Sequence, residues 1–164
     1  MDCTLACVRQ FRYLLYHIPL VEILDNIPEL RLQLGDRAVL RALHFYSENK
    51  RVECEAEALK SGNFDIFLKQ VLVSGDSSFK LLQNVYTTHD TEHQNVSIAL
   101  CISQMVLGEN YGACRVHGGG FAGTIQAFVK NEKVDEYKQK LDAVFGDGAC
   151  AVLKIRKYGG IKVM

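Results

Sequence analysis

Four glycines, at positions 118, 119, 120 and 123, fall within six residues in the run HGGGFAG, residues 117–123. Glycine adopts backbone conformations closed to other residues and loses the most freedom on ordering. A cluster this dense cannot lie inside a helix or a strand; it has to be a loop. Both flanks are β-prone. Residues 113–116 are short and apolar, and in residues 124–129 Ile125, Ala127 and Val129 alternate with Thr124, Gln126 and Phe128. The spacing predicts an antiparallel hairpin closed by the glycine run.

Around this hairpin the period is helical. Gly35-Asp36 offers a cap, followed by Val39, Ala42, Phe45, Val52, Ala56 and Leu59 in steps of threes and fours. That pattern predicts an amphipathic helix of about six turns. Ser61-Gly62-Asn63 ends it and starts a second helix through Phe64, Phe67, Val71 and Leu72, with Gly75 as a weak point. Thr91 and Gln94 suggest a capping box for a third helix, closed by Gly108. Asn131 is expected to cap a fourth, closed by Gly146, and residues 150–155 read as a last strand. A strand pair, a helix and a returning strand form most of the second half of a ferredoxin-like α+β unit. Residues 25–110 supply no further strand, so either residues 1–24 do or it is missing.

Gly118-Gly119-Gly120-Phe121-Ala122-Gly123 satisfies G-x-G-x-x-G. A dinucleotide site also needs a helix opening on the third glycine, and here a strand follows. No Gly-Lys-Ser/Thr follows either, so the run is not a Walker loop. Two readings stay open with about equal weight. One is a wide turn; the other is a concave nest of backbone N–H groups for an anion. Arg115 and His117 at its entrance are the candidate charge-assisted donors.

Bulk properties exclude other classes. Nineteen basic and nineteen acidic residues balance, so no single-sign field suggests nucleic acid or an anionic membrane. No segment has the apolar length to cross a bilayer. Residues 1–24 carry Arg9, Arg12 and His17, a poor match to a signal peptide. The six cysteines form no C-x-x-C pair and read as reduced, mostly buried thiols of a cytoplasmic protein. HDTEH, residues 89–93, fits an H-x-x-E-H metalloprotease pattern, but His89 precedes the proposed cap, so the two rings should not share a helix face. No metal site is expected. His44 reads as a packing or hydrogen-bonding histidine, and Lys154, Arg156 and Lys157 as a solvated strand end.

Two stretches together resemble a known family. YGACRVHGGGFAGTIQAFV, residues 111–129, is similar to the third signature motif of the GHMP small-molecule kinases in its galactokinase form. Residues 36–64 are similar to the galactokinase helix with an R-A-x-H…E-N-x-R-V pattern, matched by Arg41, Ala42, His44, Glu48, Asn49, Arg51 and Val52. The resemblance covers residues 25–160. It departs from the family at Ala122 and at Ser74-Gly75-Asp76.

The resemblance implies an α+β fold, a ferredoxin-like antiparallel sheet packed with helices as in the GHMP kinase C-terminal domain. Residues 25–164 would form that domain, and residues 1–24 a segment of uncertain role. It also implies γ-phosphoryl transfer from Mg-ATP to the anomeric hydroxyl of a sugar such as galactose. The glycine loop, Gly118 to Gly123, would be a supporting wall of the nucleotide–sugar cleft. The early sugar motif, the serine-rich phosphate loop and the catalytic aspartate are not found, so no catalytic residue is assigned. ATP and Mg belong to the complete enzyme, and neither is assigned to this chain. The expectation is a C-terminal part that is inactive alone and partnered by a missing N-terminal half. The alternative is a non-catalytic, self-associating module that binds a sugar or a protein.

Overall fold

The computed structural model describes residues 18–121 and 123–155. Two short helices, α1 (Leu20–Asp25) and α2 (Ile27–Leu34), lead into the long α3 (Asp36–Lys60). After it come α4 (Phe64–Ser77), a π-helical turn (Ser78–Leu82) and α5 (Asn95–Leu107). The hairpin strands are β1 (Gly112–Val116) and β2 (Ile125–Val129). A 3-10 turn (Asn131–Lys133) and α6 (Val134–Phe145) complete the described elements.

The helices end where glycine or a side chain permits. Asn63 caps α4 by accepting the Ile66 amide at 3.2 Å. Gly108 closes α5 at φ +53, and Gly146 closes α6 at φ +100. Three expected caps are absent. Gly35 precedes α3 without a side-chain bond, and Asp36 instead accepts from Arg31 Nε at 2.5 Å. The Thr91 capping box does not form, because α5 begins only at Asn95. The Gln94 amide instead reaches back to the Thr87 and Asp90 carbonyls, and the Asp90 carboxylate takes the Glu92 and His93 amides. Asn131 opens the 3-10 turn with no side-chain cap.

β1 and β2 pair antiparallel in the register Gly112↔Val129 to Val116↔Ile125. Alternation sends the two faces to different partners. Cys114, Ala127 and Val129 pack with Leu107 of α5 and Tyr137 and Leu141 of α6. The Tyr137 hydroxyl meets Ser103 Oγ at 2.7 Å within this layer. Val116 and Ile125 join Val85 and Val96. On the opposite face Phe128 stands edge-on to Phe67 of α4, with ring centroids 5.0 Å apart. A Cβ on Gly75 would lie 3.2 Å from Arg115 Cβ and 3.3 Å from the Cys114 carbonyl. The glycine that weakens α4 as an isolated helix is therefore what lets it lie against β1. The hairpin is thus held between the α3–α4 pair and the α5–α6 pair.

This is an α+β arrangement with one two-stranded sheet among the described residues. Residues 150–155 correct the expectation of a last strand. Cys150 is anchored by its amide on Asp142 Oδ1 at 2.8 Å, but residues 151–155 pair with no strand. An extended segment is stabilised by ladder bonds and a buried face, and Leu153 and Ile155 are 87% and 90% exposed. No strand precedes β1 among the described residues; residues 1–17 lie outside them. The cysteines are also less buried than expected. Cys54 and Cys101 are exposed, Cys150 is half-buried and only Cys114 is buried, all four as free thiols; Cys3 and Cys7 lie outside the described residues. Burial pushes the Cys114 thiol up to about 11. Among the described residues no helix is long and apolar enough to cross a membrane.

Candidate functional site

Local backbone demands explain the glycine loop. Gly118, Gly120 and Gly123 have φ of +62, +73 and +79, and Phe121 joins them at φ +54. The His117 amide donates to the Thr124 carbonyl at 3.1 Å, which extends the hairpin by one step and closes the loop's base. The side of the loop is tied to Asn84, in the segment between the π-turn and α5. The Phe121 amide donates to the Asn84 carbonyl at 3.0 Å, and Asn84 Nδ2 donates to the Gly119 carbonyl at 3.2 Å. A Cβ on Gly120 would meet the Asn84 carbonyl oxygen at 2.2 Å, so this glycine is required by close approach as well as by its backbone. Gly118, Gly119 and Gly123 face open space.

The structure brings together Gly118, Gly119, Gly120, Phe121 and Gly123 in one loop; Ala122 lies outside the described residues. His117 is exposed at its start. Arg115 has its guanidinium in another set of contacts. Its Nη1 donates to Ser74 Oγ at 2.5 Å and lies 3.8 Å from Glu48 Oε2, while its Nε donates to the Val116 carbonyl.

Arg115 therefore belongs to a polar cluster that joins α3, α4 and β1. Ser74 Oγ donates to Glu48 Oε2 at 2.7 Å, and Glu48 also pairs with Arg51. His44 Nδ1 meets Ser77 Oγ at 2.9 Å. The pairs 44–77 and 48–74 run in opposite senses, so α3 and α4 are antiparallel. Ser74 is fully buried, and Arg51 is 9% exposed. Burial, with Arg51 and then Arg115 nearby, lowers the His44 pKa to about 4. This imidazole is neutral at pH 7 and disfavours gaining a proton. Burial likewise lowers the pKa of Arg51 and Arg115, though both stay charged.

Reasoning from the sequence named Glu48 and Arg51 only as matches to a pattern, and His44 also as a packing or hydrogen-bonding histidine, the role its bond to Ser77 gives it. Their spacing of four and three on one helix was a signal that they share a face. Nothing in the sequence marked Asn84, whose role depends on where the glycine loop lies. The HDTEH segment precedes α5, so His89 and His93 do not share a helix face. His93 Nδ1 instead lies 2.9 Å from the Asp90 carboxylate. Among the described residues no group of three histidine, cysteine, aspartate or glutamate side chains could hold a metal ion.

No protein-family model matches the chain. Curated galactokinases do. The chain is 34% identical over 118 residues to a galactokinase of Glaesserella parasuis serovar 5, a match spanning 72% of this chain. It is 31% identical over 123 residues to one of Actinobacillus pleuropneumoniae and 31% over 106 residues to one of Haemophilus influenzae. The chain spans about 28% of the length of the first two of these relatives and 26% of the third. The resemblance to the C-terminal part of a galactokinase, drawn from residues 36–64 and 111–129, is thus matched by relatives over 65–72% of the chain.

Proposed function

Over 72% of its length this chain belongs to the galactokinase family, and from that premise we propose that it supplies one wall of a galactokinase-type cleft. The reaction proposed for the complete assembly is transfer of the γ-phosphoryl group of Mg-ATP to the anomeric hydroxyl of galactose. In that reading residues 25–164 act as a GHMP-type C-terminal domain, and the finer ferredoxin-like sheet is completed by strands outside the described hairpin. The setting is cytoplasmic.

The observation that carries the proposal is the loop's attachment to Asn84. Two bonds from one residue, on the Phe121 amide and the Gly119 carbonyl, fix the loop's shape before any ligand arrives. Phosphoryl transfer depends on positioning and on charge neutralisation, and a preformed loop serves the first. Gly118 and Gly119, open on their outer side, let a phosphate or a second backbone come close. His117 is available for charge-assisted contact there, whereas Arg115 holds the sheet to the helices. ATP supplies the transferred group and magnesium its charge compensation when they are bound; the carboxylates for the metal belong to residues other than those described. No residue described here is given the role of catalytic base.

The chain alone is therefore expected not to turn over. Mixing it with a separately made N-terminal half of a related galactokinase should restore galactose-dependent ADP release, and a Gly120→Val chain should fail to. Robust turnover by the chain alone would sink the proposal.

A second reading has its own observation. Leu32, Met105, Leu153 and Ile155 are each at least 79% exposed, which leaves these apolar side chains open to a partner surface. A self-associating, non-catalytic module that binds a sugar or a protein would cover such side chains. Sedimentation of the purified chain separates the readings: a stable dimer that neither binds ATP nor complements an N-terminal half favours the second.

A further inference from the structure

A pocket of about 310 Å³ opens beside Phe121. Arg37 of α3 forms one side, and Phe121 at the tip of the glycine loop forms another. Gln83, Tyr86, Thr87, Thr88 and His89, from the segment after the π-turn, complete it, and no carboxylate lines it. The only two non-glycine residues with positive φ among the described residues, Gln83 at +53 and Phe121 at +54, both line this pocket.

Left-handed backbone at a large residue persists only where its surroundings enforce it, and such positions gather at ligand sites. Here the enforcement is visible. Gln83 is the left-handed C-cap of the π-helical turn, its amide held by the Ser78 carbonyl at 2.9 Å, while the Phe121 amide is held by the Asn84 carbonyl. Asn84, 3% exposed, thus joins the two strained walls. The Tyr86 ring is backed by Phe79 at 5.5 Å between centroids. The pocket is preformed, which reduces the cost of binding.

Its chemistry is cationic and hydroxylic. Arg37 has no ion pair or hydrogen bond among the described residues, and its guanidinium fork suits a phosphoryl group. Thr87 and Thr88 add hydroxyl donors and His89 an imidazole. The two acids adjacent in sequence are occupied elsewhere, Asp36 by Arg31 and Asp90 by His93 and two amides. The aromatic rings of Tyr86 and Phe121 offer faces for an organic body.

We propose that this pocket binds a phosphorylated small organic molecule, with the phosphoryl group on Arg37 and the threonine hydroxyls and the organic body against Phe121. The site shares Phe121 with the loop proposed above as a cleft wall, but it is built from this chain's own residues and needs no second half, so its binding can be tested apart from turnover.

Calorimetric titration of the whole 164-residue chain tests it, with glucose 6-phosphate, AMP and inorganic phosphate as probes and glucose and adenosine as controls. At least one phosphorylated organic probe should bind saturably, and its unphosphorylated control at least about tenfold more weakly. Arg37→Ala should weaken binding at least about tenfold, while Lys140→Ala on α6 leaves it unchanged. Circular dichroism establishes that each variant is folded. The proposal is overturned if the folded chain binds no probe, if inorganic phosphate alone binds as well as the organic phosphates, or if Arg37→Ala binds undiminished. Loss of binding in His117→Ala but not in Arg37→Ala would also overturn it, by assigning the anion to the glycine loop.

Discussion

Two neighbouring glycines do different work. Gly120 sits at φ +73 with the Asn84 carbonyl where its Cβ would be, whereas Gly119 has open space and no positive φ. Gly120→Ala should therefore lower unfolding stability by about 2–4 kcal/mol, and Gly119→Ala by no more than about 1 kcal/mol. Urea unfolding of both variants measures the contrast. His44 carries a second prediction. Its folded pKa is about 4 against an ordinary 6.5, so the unfolded chain binds a proton that the folded chain refuses. Stability from this group is complete above about pH 6.5 and is lost as pH falls toward 4. With the ring only half-buried, solvent screening reduces the loss to about 1–2 kcal/mol. Urea unfolding from neutral to mildly acidic pH should show this slope, and His44→Gln should flatten it.

At the scale of elements, the Arg115–Ser74–Glu48–Arg51 cluster decides how α3, α4 and β1 are joined. Its carboxylate pairs with the buried Arg51 and lies 3.8 Å from the partly buried Arg115, and Glu55 adds charge attraction to both guanidinium groups. Removing it takes the direct partner from the buried Arg51 and leaves Arg115 beside it, with Glu55 as a more distant acid, which costs more than the pair itself contributes. Glu48→Ala should destabilise the chain by about 3 kcal/mol, while Val52→Ala, on the exposed side of the same helix, changes it by about 0.5 kcal/mol or less. Thermal unfolding compares them. The hairpin and the four main helices were legible in the sequence because their signals are local: the helical period, the strand alternation, and glycines at helix ends. The expected cap at Asp36 fails because that side chain pairs with Arg31; the helix expected after Thr91 begins only at Asn95, and Asn131 opens a 3-10 turn in place of capping an α-helix.

For the whole molecule, the exposed apolar residues set the expectation. Leu153 and Ile155 follow α6 and pair with no strand among the described residues, and Met105 lies on the outer side of α5 at 79% exposure. Apolar area of this kind drives association in proportion to what it removes from water. The wild-type chain should therefore self-associate with rising concentration, and the double change Leu153→Lys and Ile155→Lys should shift it toward monomer. Analytical ultracentrifugation reads the result directly.

The glycine run, its two flanking strands and the helix patterns were enough to place this chain beside the galactokinases and to exclude a dinucleotide fold. Those are properties of neighbouring residues, and neighbouring residues interact however the rest of the chain is arranged. Long-range approach decided the remainder. Gly120 is indispensable because Asn84, 36 positions earlier in the same numbering, closes on it. Arg115 faces Glu48 and Ser74 because Gly75 lets α4 lie against β1. Residues 150–155 have the composition of a strand and are not one here, because a strand exists only when another edge is there to receive its hydrogen bonds.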